Sequence, residues 1–283
     1  MAEGGGAQPA EAMRKGKGVS GVIAIVVAII TFLAGLGVGA VFLAPAPPPA
    51  APKLLLGTNT PFPPFEYYDE QDRLVGFDIE LIQTLVTRAG YSYEWRDFTD
   101  FTALLLAVSA TGVDIAIGAI TIRADRNASL DFTNSYYEGD QGILKLTSDT
   151  GNYCAAADCT VAELNRTDLV IGAQEITTSE FWVEDNLPAV VDSNNLKLFP
   201  GVTQVLQALT AGSVDIVVID KPAADGIAAG NSAFTVEGTI QTNELYGFAV
   251  ANNDPDGLIP KLNAQLAAVR ADGTYATLLD KYF

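Results

Sequence analysis

Two charged side chains follow the strands of two similar segments, one at the strand's end and one a few residues beyond it, and between them they could hold a zwitterion. The first segment is Leu104-Leu-Leu-Ala-Val-Ser-Ala-Thr-Gly-Val-Asp-Ile-Ala-Ile-Gly. The second is Val205-Leu-Gln-Ala-Leu-Thr-Ala-Gly-Ser-Val-Asp-Ile-Val-Val-Ile-Asp. Each reads as an apolar helix, a glycine that stops it (Gly112, Gly212), an aspartate and a buried strand. In open α/β sheets ligands bind beyond the carboxyl ends of strands, so the residues just after each strand are the natural place to look for chemistry. After the first come Gly118 and Ala119, small enough to let a ligand reach the backbone. A helix is predicted to start near Thr121, offering free N–H groups and a hydroxyl to an anion. Arg126 comes next, with a guanidinium fork that suits a carboxylate. After the second strand comes Asp220, an acceptor for an ammonium group. An α-amino acid presents that pair of charges. Ordinary roles stay open: Arg126 could pair with Asp125 or Asp131, and Asp220 could cap the helix that Lys221-Pro222 begins.

Other groups fall at similar places. Thr58-Asn-Thr-Pro-Phe-Pro-Pro-Phe-Glu comes after the strand Leu54-Leu-Leu-Gly and brings Asn59 and a stiff apolar wall around Phe62. Phe101, just before the first repeated helix, could form the opposite wall; the alternative is that both aromatics are core. Gly76 to Gly90 reads as a helix, with Ile79, Ile82, Leu85 and Val86 on one face and Gly90 ending it. Tyr91 to Trp95 alternates as a further strand.

Composition narrows the chemistry. The chain has 34 acidic and 16 basic residues, a formal charge of −18, and no histidine. Such a surface repels nucleic acid, and no metal site or cofactor is predicted. The two cysteines, Cys154 and Cys159, lie in a short polar stretch and read as a disulfide outside the cell, with two free thiols as the alternative.

One segment stands apart from the α/β pattern. Residues 19–43 carry no charge and are long enough to cross a bilayer as a helix, with Arg14, Lys15 and Lys17 just before them. The expectation is a single-pass anchor or signal: residues 1–18 cytoplasmic and disordered, 19–43 the span, 44–52 a proline-rich linker, and the rest outside. Cleavage near Ala44 is the alternative.

Four stretches carry a resemblance across the soluble part: Gly57-Thr-Asn-Thr-Pro-Phe-Pro-Pro-Phe-Glu, Leu74-Val-Gly-Phe-Asp-Ile-Glu-Leu, Asp114 to Arg126 with Leu130-Asp-Phe-Thr-Asn-Ser-Tyr-Tyr, and Ala271-Asp-Gly-Thr-Tyr-Ala-Thr-Leu-Leu-Asp-Lys-Tyr-Phe. In this order they resemble the extracellular solute-binding proteins that feed polar amino acids to ABC importers. The resemblance implies two Rossmann-like α/β lobes joined by two crossing strands, the type II periplasmic-binding-protein fold. Lobe one would be residues 53–137 with 247–283, lobe two 138–246, and the crossings would lie near Tyr137 and Tyr246. It implies a ligand carboxylate on Ala119, Thr121 and Arg126, an amine on Asp220, and stacking on Phe62 and Phe101. Ile176-Thr-Thr-Ser is similar to a turn in which Thr177 and Thr178 also meet the carboxylate, with isoleucine where the family carries glycine. Asn59, Gly118, Gln174 and Ile219 would shape the pocket. The implied function is capture of a neutral polar, glutamine-like amino acid for an ABC importer permease, by a monomeric soluble domain. Alternatives on the same scaffold are a cyclohexadienyl or arogenate dehydratase, with Glu66 or Glu175 as the acid, and a sensory ectodomain.

Overall fold

The computed structural model describes residues 50–283; the predicted span 19–43 and nearly all of its flanking segments lie outside them. Among the described residues no helix is long and apolar enough to cross a membrane. In chain order the elements are β1 (Lys53–Thr58), β2 (Tyr67–Tyr68), β3 (Leu74–Val75), α1 (Phe77–Arg88), β4 (Ser92–Asp97), α2 (Phe101–Ser109), β5 (Ile115–Ala116), β6 (Leu130–Phe132), β7 (Tyr137–Leu146), α3 (Val161–Leu164), β8 (Ile171–Gln174), α4 (Thr178–Asn186), α5 (Pro188–Asp192), β9 (Leu196–Phe199), α6 (Val202–Thr210), β10 (Ile216–Asp220), α7 (Lys221–Gly230), β11 (Phe234–Tyr246), β12 (Ala249–Ala251), α8 (Leu258–Ala271) and α9 (Thr274–Tyr282).

Two five-stranded sheets result, ordered β4-β1-β5-β12-β6 and β11-β7-β10-β8-β9. Both are mixed. β1 runs parallel to β4 and β5, and β8 parallel to β9 and β10, while β12 and β7 join their sheets antiparallel. Within each parallel trio the chain leaves the central strand, adds a neighbour on one side, and returns to the other. Each sheet therefore has a point where the strand order reverses, β1/β5 in one and β8/β10 in the other, and such points leave a crevice at the strands' carboxyl ends.

Apolar periodicity explains why helices cover both faces. Ile79, Ile82, Leu85 and Val86 of α1 are buried against Leu54, Leu56, Ile115 and Ile117, with Leu262 and Leu266 of α8 closing that side. Leu104 and Val108 of α2 fill the opposite face with Val113 and Leu130. In the second sheet, Val205 and Leu209 of α6 cover one face and Val183 of α4 with Leu187 the other. Burying each such side chain contributes roughly 1.5–3 kcal/mol.

The two similar segments fold alike, with one correction. Asp114 accepts from the Leu55 amide at 2.6 Å, and Asp215 accepts from the Val170 amide at 2.8 Å, so each aspartate pins its strand to the neighbouring one. The left-handed residue after the helix is Thr111 in the first unit and Gly212 in the second. Gly112 is therefore the counterpart of Ser213, not of Gly212. Two long strands, β7 and β11, link the sheets: β7 starts at Tyr137, β11 ends at Tyr246, and the two residues are register partners with stacked rings 5.8 Å apart.

Candidate functional site

One cavity lies where the two reversal points face each other. It is lined from the first sheet by Asn59, Phe62, Glu66, Phe101, Gly118, Ala119, Thr121 and Arg126, and from the second by Gln174, Thr177, Thr178 and Asp220. All eleven residues expected to meet a ligand are brought together there. Sequence reading missed Ser179, Val202, Val205, Val217 and Val218, which also line it. The valines were legible as buried, but periodicity does not say what they are buried against.

The expected helix at Thr121 is not formed. Thr121 pairs with Tyr246 as an isolated bridge, through Ile122 N–H to Leu245 O (2.8 Å) and Gly247 N–H to Ile120 O (3.0 Å). A short 3-10 turn, Arg126–Ala128, comes only later. The bridge leaves the N–H of Thr121 itself outside the pairing, and the hydroxyl donates to Glu244 Oε2 at 2.7 Å. A helix N-terminus is present, but the second sheet supplies it: Thr177 caps α4, and Thr177, Thr178 and Ser179 of its start line the cavity.

Arg126 lies beside that helix start, 7% exposed. It donates to Thr121 O at 2.9 Å and to Ile176 O at 3.0 Å, and its ring partner is Phe101, 5.5 Å away. A guanidinium has five N–H donors, so others remain, and Nε has no partner in the protein. Burial first, then the neighbouring Arg123, lowers its pKa to about 10, so the group stays cationic at neutral pH. The surface pairing with Asp125 does not form; Arg123 takes that role at 2.9 Å.

Asp220 ends β10 at the place Ala119 occupies after β5. Its side chain makes no cap on α7, which removes the capping role. Instead Oδ1 accepts from Gln141 Nε2 at 2.5 Å. Burial, then the charge of Glu244, pushes its pKa up to about 7, opposed by Gln141 and Arg126. Across the cavity the Ala119 N–H is spent on Asp78 at 2.8 Å, with Ala119 in left-handed backbone (φ 46°). The expected backbone donor is thus used internally. Asp78 is itself held by the Tyr136 hydroxyl, and burial raises its pKa to about 7.

Further hydrogen bonds close the cavity across the two sheets. Gln174 Nε2 donates to Asn59 Oδ1 at 3.1 Å, and Asn59 Nδ2 donates to Phe98 O at 2.6 Å. The site therefore offers an anion a cation plus free N–H groups, and offers a cation a carboxylate. Gln141 and Glu244, which tune Asp220, were not foreseen, because only the pairing of β7, β10 and β11 places them there. Away from the cavity, Cys154 and Cys159 form a disulfide.

Known proteins with this architecture share its sequence pattern. A probable histidine-binding protein of Neisseria gonorrhoeae is 27% identical over 231 residues, 81% of this chain and 82% of that protein. An ancestral arginine-binding protein bound to glutamine superposes with a TM-score of 0.73 at 29% identity, over 82% of this chain and 97% of the other. An ancestral amino-acid-binding protein, described as a precursor of cyclohexadienyl dehydratase, gives 0.69 at 28%, over 82% and 95%. The family is one of binding proteins and not of enzymes, so the dehydratase alternative is not retained. Residues 54–283 match that family throughout, and the chain belongs to the bacterial extracellular solute-binding proteins, family 3.

Proposed function

We propose that this chain captures an α-amino acid, with a neutral polar, glutamine-like side chain favoured, and delivers it to an ABC importer. The observation that carries the reading is that buried Arg126, in the turn between β5 and β6 of one sheet, and buried Asp220, at the end of β10 of the other, line one cavity. The ligand carboxylate goes to Arg126, the Thr121 amide and the start of α4. The ammonium goes to Asp220, and Phe62 and Phe101 flank the aliphatic stem. A ligand so held bridges two lobes, residues 53–137 with 247–283 and residues 138–246, and closes them about β7 and β11. The closed form is what a permease would recognise. Residues 19–43 tether this domain to the outer face of the membrane, with the N-terminus inside. The relatives' descriptions as histidine- and arginine-binding proteins, one of them bound to glutamine, support an amino-acid ligand.

Thermal unfolding of the full chain in detergent against each of the twenty amino acids tests this. A ligand that binds only the folded state raises the midpoint. A rise with neutral polar amino acids is expected; no rise with any of the twenty would overturn the reading.

A further inference from the structure

Each polar side chain lining the cavity has a hydrogen-bond partner in the protein except one. Asn59, Thr121, Arg126, Gln174, Thr177, Thr178, Ser179 and Asp220 all donate or accept. Glu66 alone, among the described residues of the lining, does neither. It is 1% exposed, and Oε2 is buried without a partner.

The chain holds Glu66 firmly in that position. Its backbone N–H donates to Phe62 O at 3.1 Å, and its carbonyl accepts from the Phe62 N–H at 2.7 Å. The loop is backed by Gly76, where a Cβ would stand 2.0 Å from Phe65 O, so only glycine fits at its φ of 137°. Glu66 Oε1 lies over Gly118, 3.2 Å from where a Cβ would sit, and that missing side chain leaves the carboxyl its room.

A buried carboxyl without a partner is costly unless something in the cavity completes it. Arg126 and Asp220 already account for the charged ends of an amino acid. We infer that Glu66 reads the ligand's side chain, accepting an N–H from a carboxamide at its end. This rests on the amino-acid reading above and narrows it. Burial, with Asp78, Asp220 and Asp97 nearby, holds Glu66 toward its neutral acid form. A neutral acid can both accept from and donate to a carboxamide. An apolar side chain would leave Glu66 unpaired.

Glutamine and methionine have similar lengths and differ in what they offer Glu66. Calorimetry on the full chain should show glutamine bound at least about tenfold tighter than methionine. Glu66→Leu should collapse the glutamine-to-methionine ratio by about tenfold, and Glu66→Gln should keep much of it. Should Glu66→Leu fail to fold, the wild-type comparison stands alone: methionine bound as tightly as glutamine overturns the inference. A ratio unchanged in folded Glu66→Leu also overturns it and leaves the amino-acid reading intact. No binding of any amino acid overturns both.

Discussion

Gln141 and Asp220 are register partners on adjacent antiparallel strands, and one amide nitrogen of Gln141 bonds Asp220 Oδ1 at 2.5 Å and Glu244 Oε1 at 2.8 Å. Two carboxylates are thus kept apart by a single donor in a buried place. That geometry makes ligand binding depend on pH. An ammonium group needs ionised Asp220, whose pKa in the empty cavity is about 7. Binding therefore displaces a proton below that value, and affinity should fall as pH drops, by up to about 100-fold between pH 8 and pH 5. For the empty fold the sign is opposite. A carboxyl whose folded value lies above its unfolded value stabilises below the unfolded value and loses that stabilisation as pH rises. Asp220 and Asp78 should together make the ligand-free protein less stable as pH climbs from about 4 to about 7. Calorimetry and thermal melts across that range check both. Gln141→Leu, by removing a donor that favours the ionised form, should move the binding midpoint upward; an unmoved midpoint would exclude Asp220 as the titrating group.

Arg126→Ala should weaken amino-acid binding by about 2–5 kcal/mol, since the variant would bury the ligand carboxylate without its cation. Arg126 also carries two structural tasks, on Thr121 O and Ile176 O, so part of the loss would come from a looser site. Arg126→Lys separates the contributions: it keeps the charge but not the fork, and should recover less than half of the loss. Titration calorimetry gives both numbers, and an Arg126→Ala affinity within threefold of wild type would refute the carboxylate assignment.

Part of this site could be read from the chain because several of its groups come directly at or after a strand's end. Asn59 after β1, Gly118 and Ala119 after β5 and Asp220 at the end of β10 follow one topological rule, whereas Gln174 at the end of β8 came from the resemblance alone. Arg126 lines the cavity as expected, but on a different local structure: no helix begins at Thr121, because the segment around it is drawn into pairing with Tyr246, a partner far along the chain. The same long-range pairing explains Gln141 and Glu244, whose strands look like any other strands until their register is known. Glu66 was visible as a carboxyl in a proline-rich loop, but its lack of any partner is a property of the folded cavity and has no local signature.

The disulfide joins residues separated by five positions and lies against β11, where the Sγ of Cys159 faces Gly238. So small a loop restricts the unfolded chain modestly, by about 2 kcal/mol. Replacing both cysteines by alanine should lower unfolding free energy by about that amount in denaturant titrations. Ligand affinity should stay within twofold, because neither sulfur lines the cavity. A tenfold loss of affinity would show that the disulfide shapes the site.

Ile176 sits in left-handed backbone (φ 61°), a conformation that costs a β-branched residue about 1–2 kcal/mol. It is 40% exposed, so its side chain contributes little burial in return. What holds it there is polar. Its N–H donates to Glu180, and its carbonyl accepts from Arg126 at 3.0 Å. The strained residue thus fixes one of the two carbonyls that aim the guanidinium. Ile176→Gly adopts the same backbone without the steric cost, offset in part by glycine's greater freedom when unfolded. The expected result is a melting temperature unchanged or slightly raised, with affinity kept within about threefold. Ile176→Pro cannot take a positive φ and lacks the N–H that Glu180 accepts, so it should lose both stability and binding. If Ile176→Gly destabilised the chain by more than about 1 kcal/mol, the isoleucine side chain would have to be packing against something that outweighs its strain.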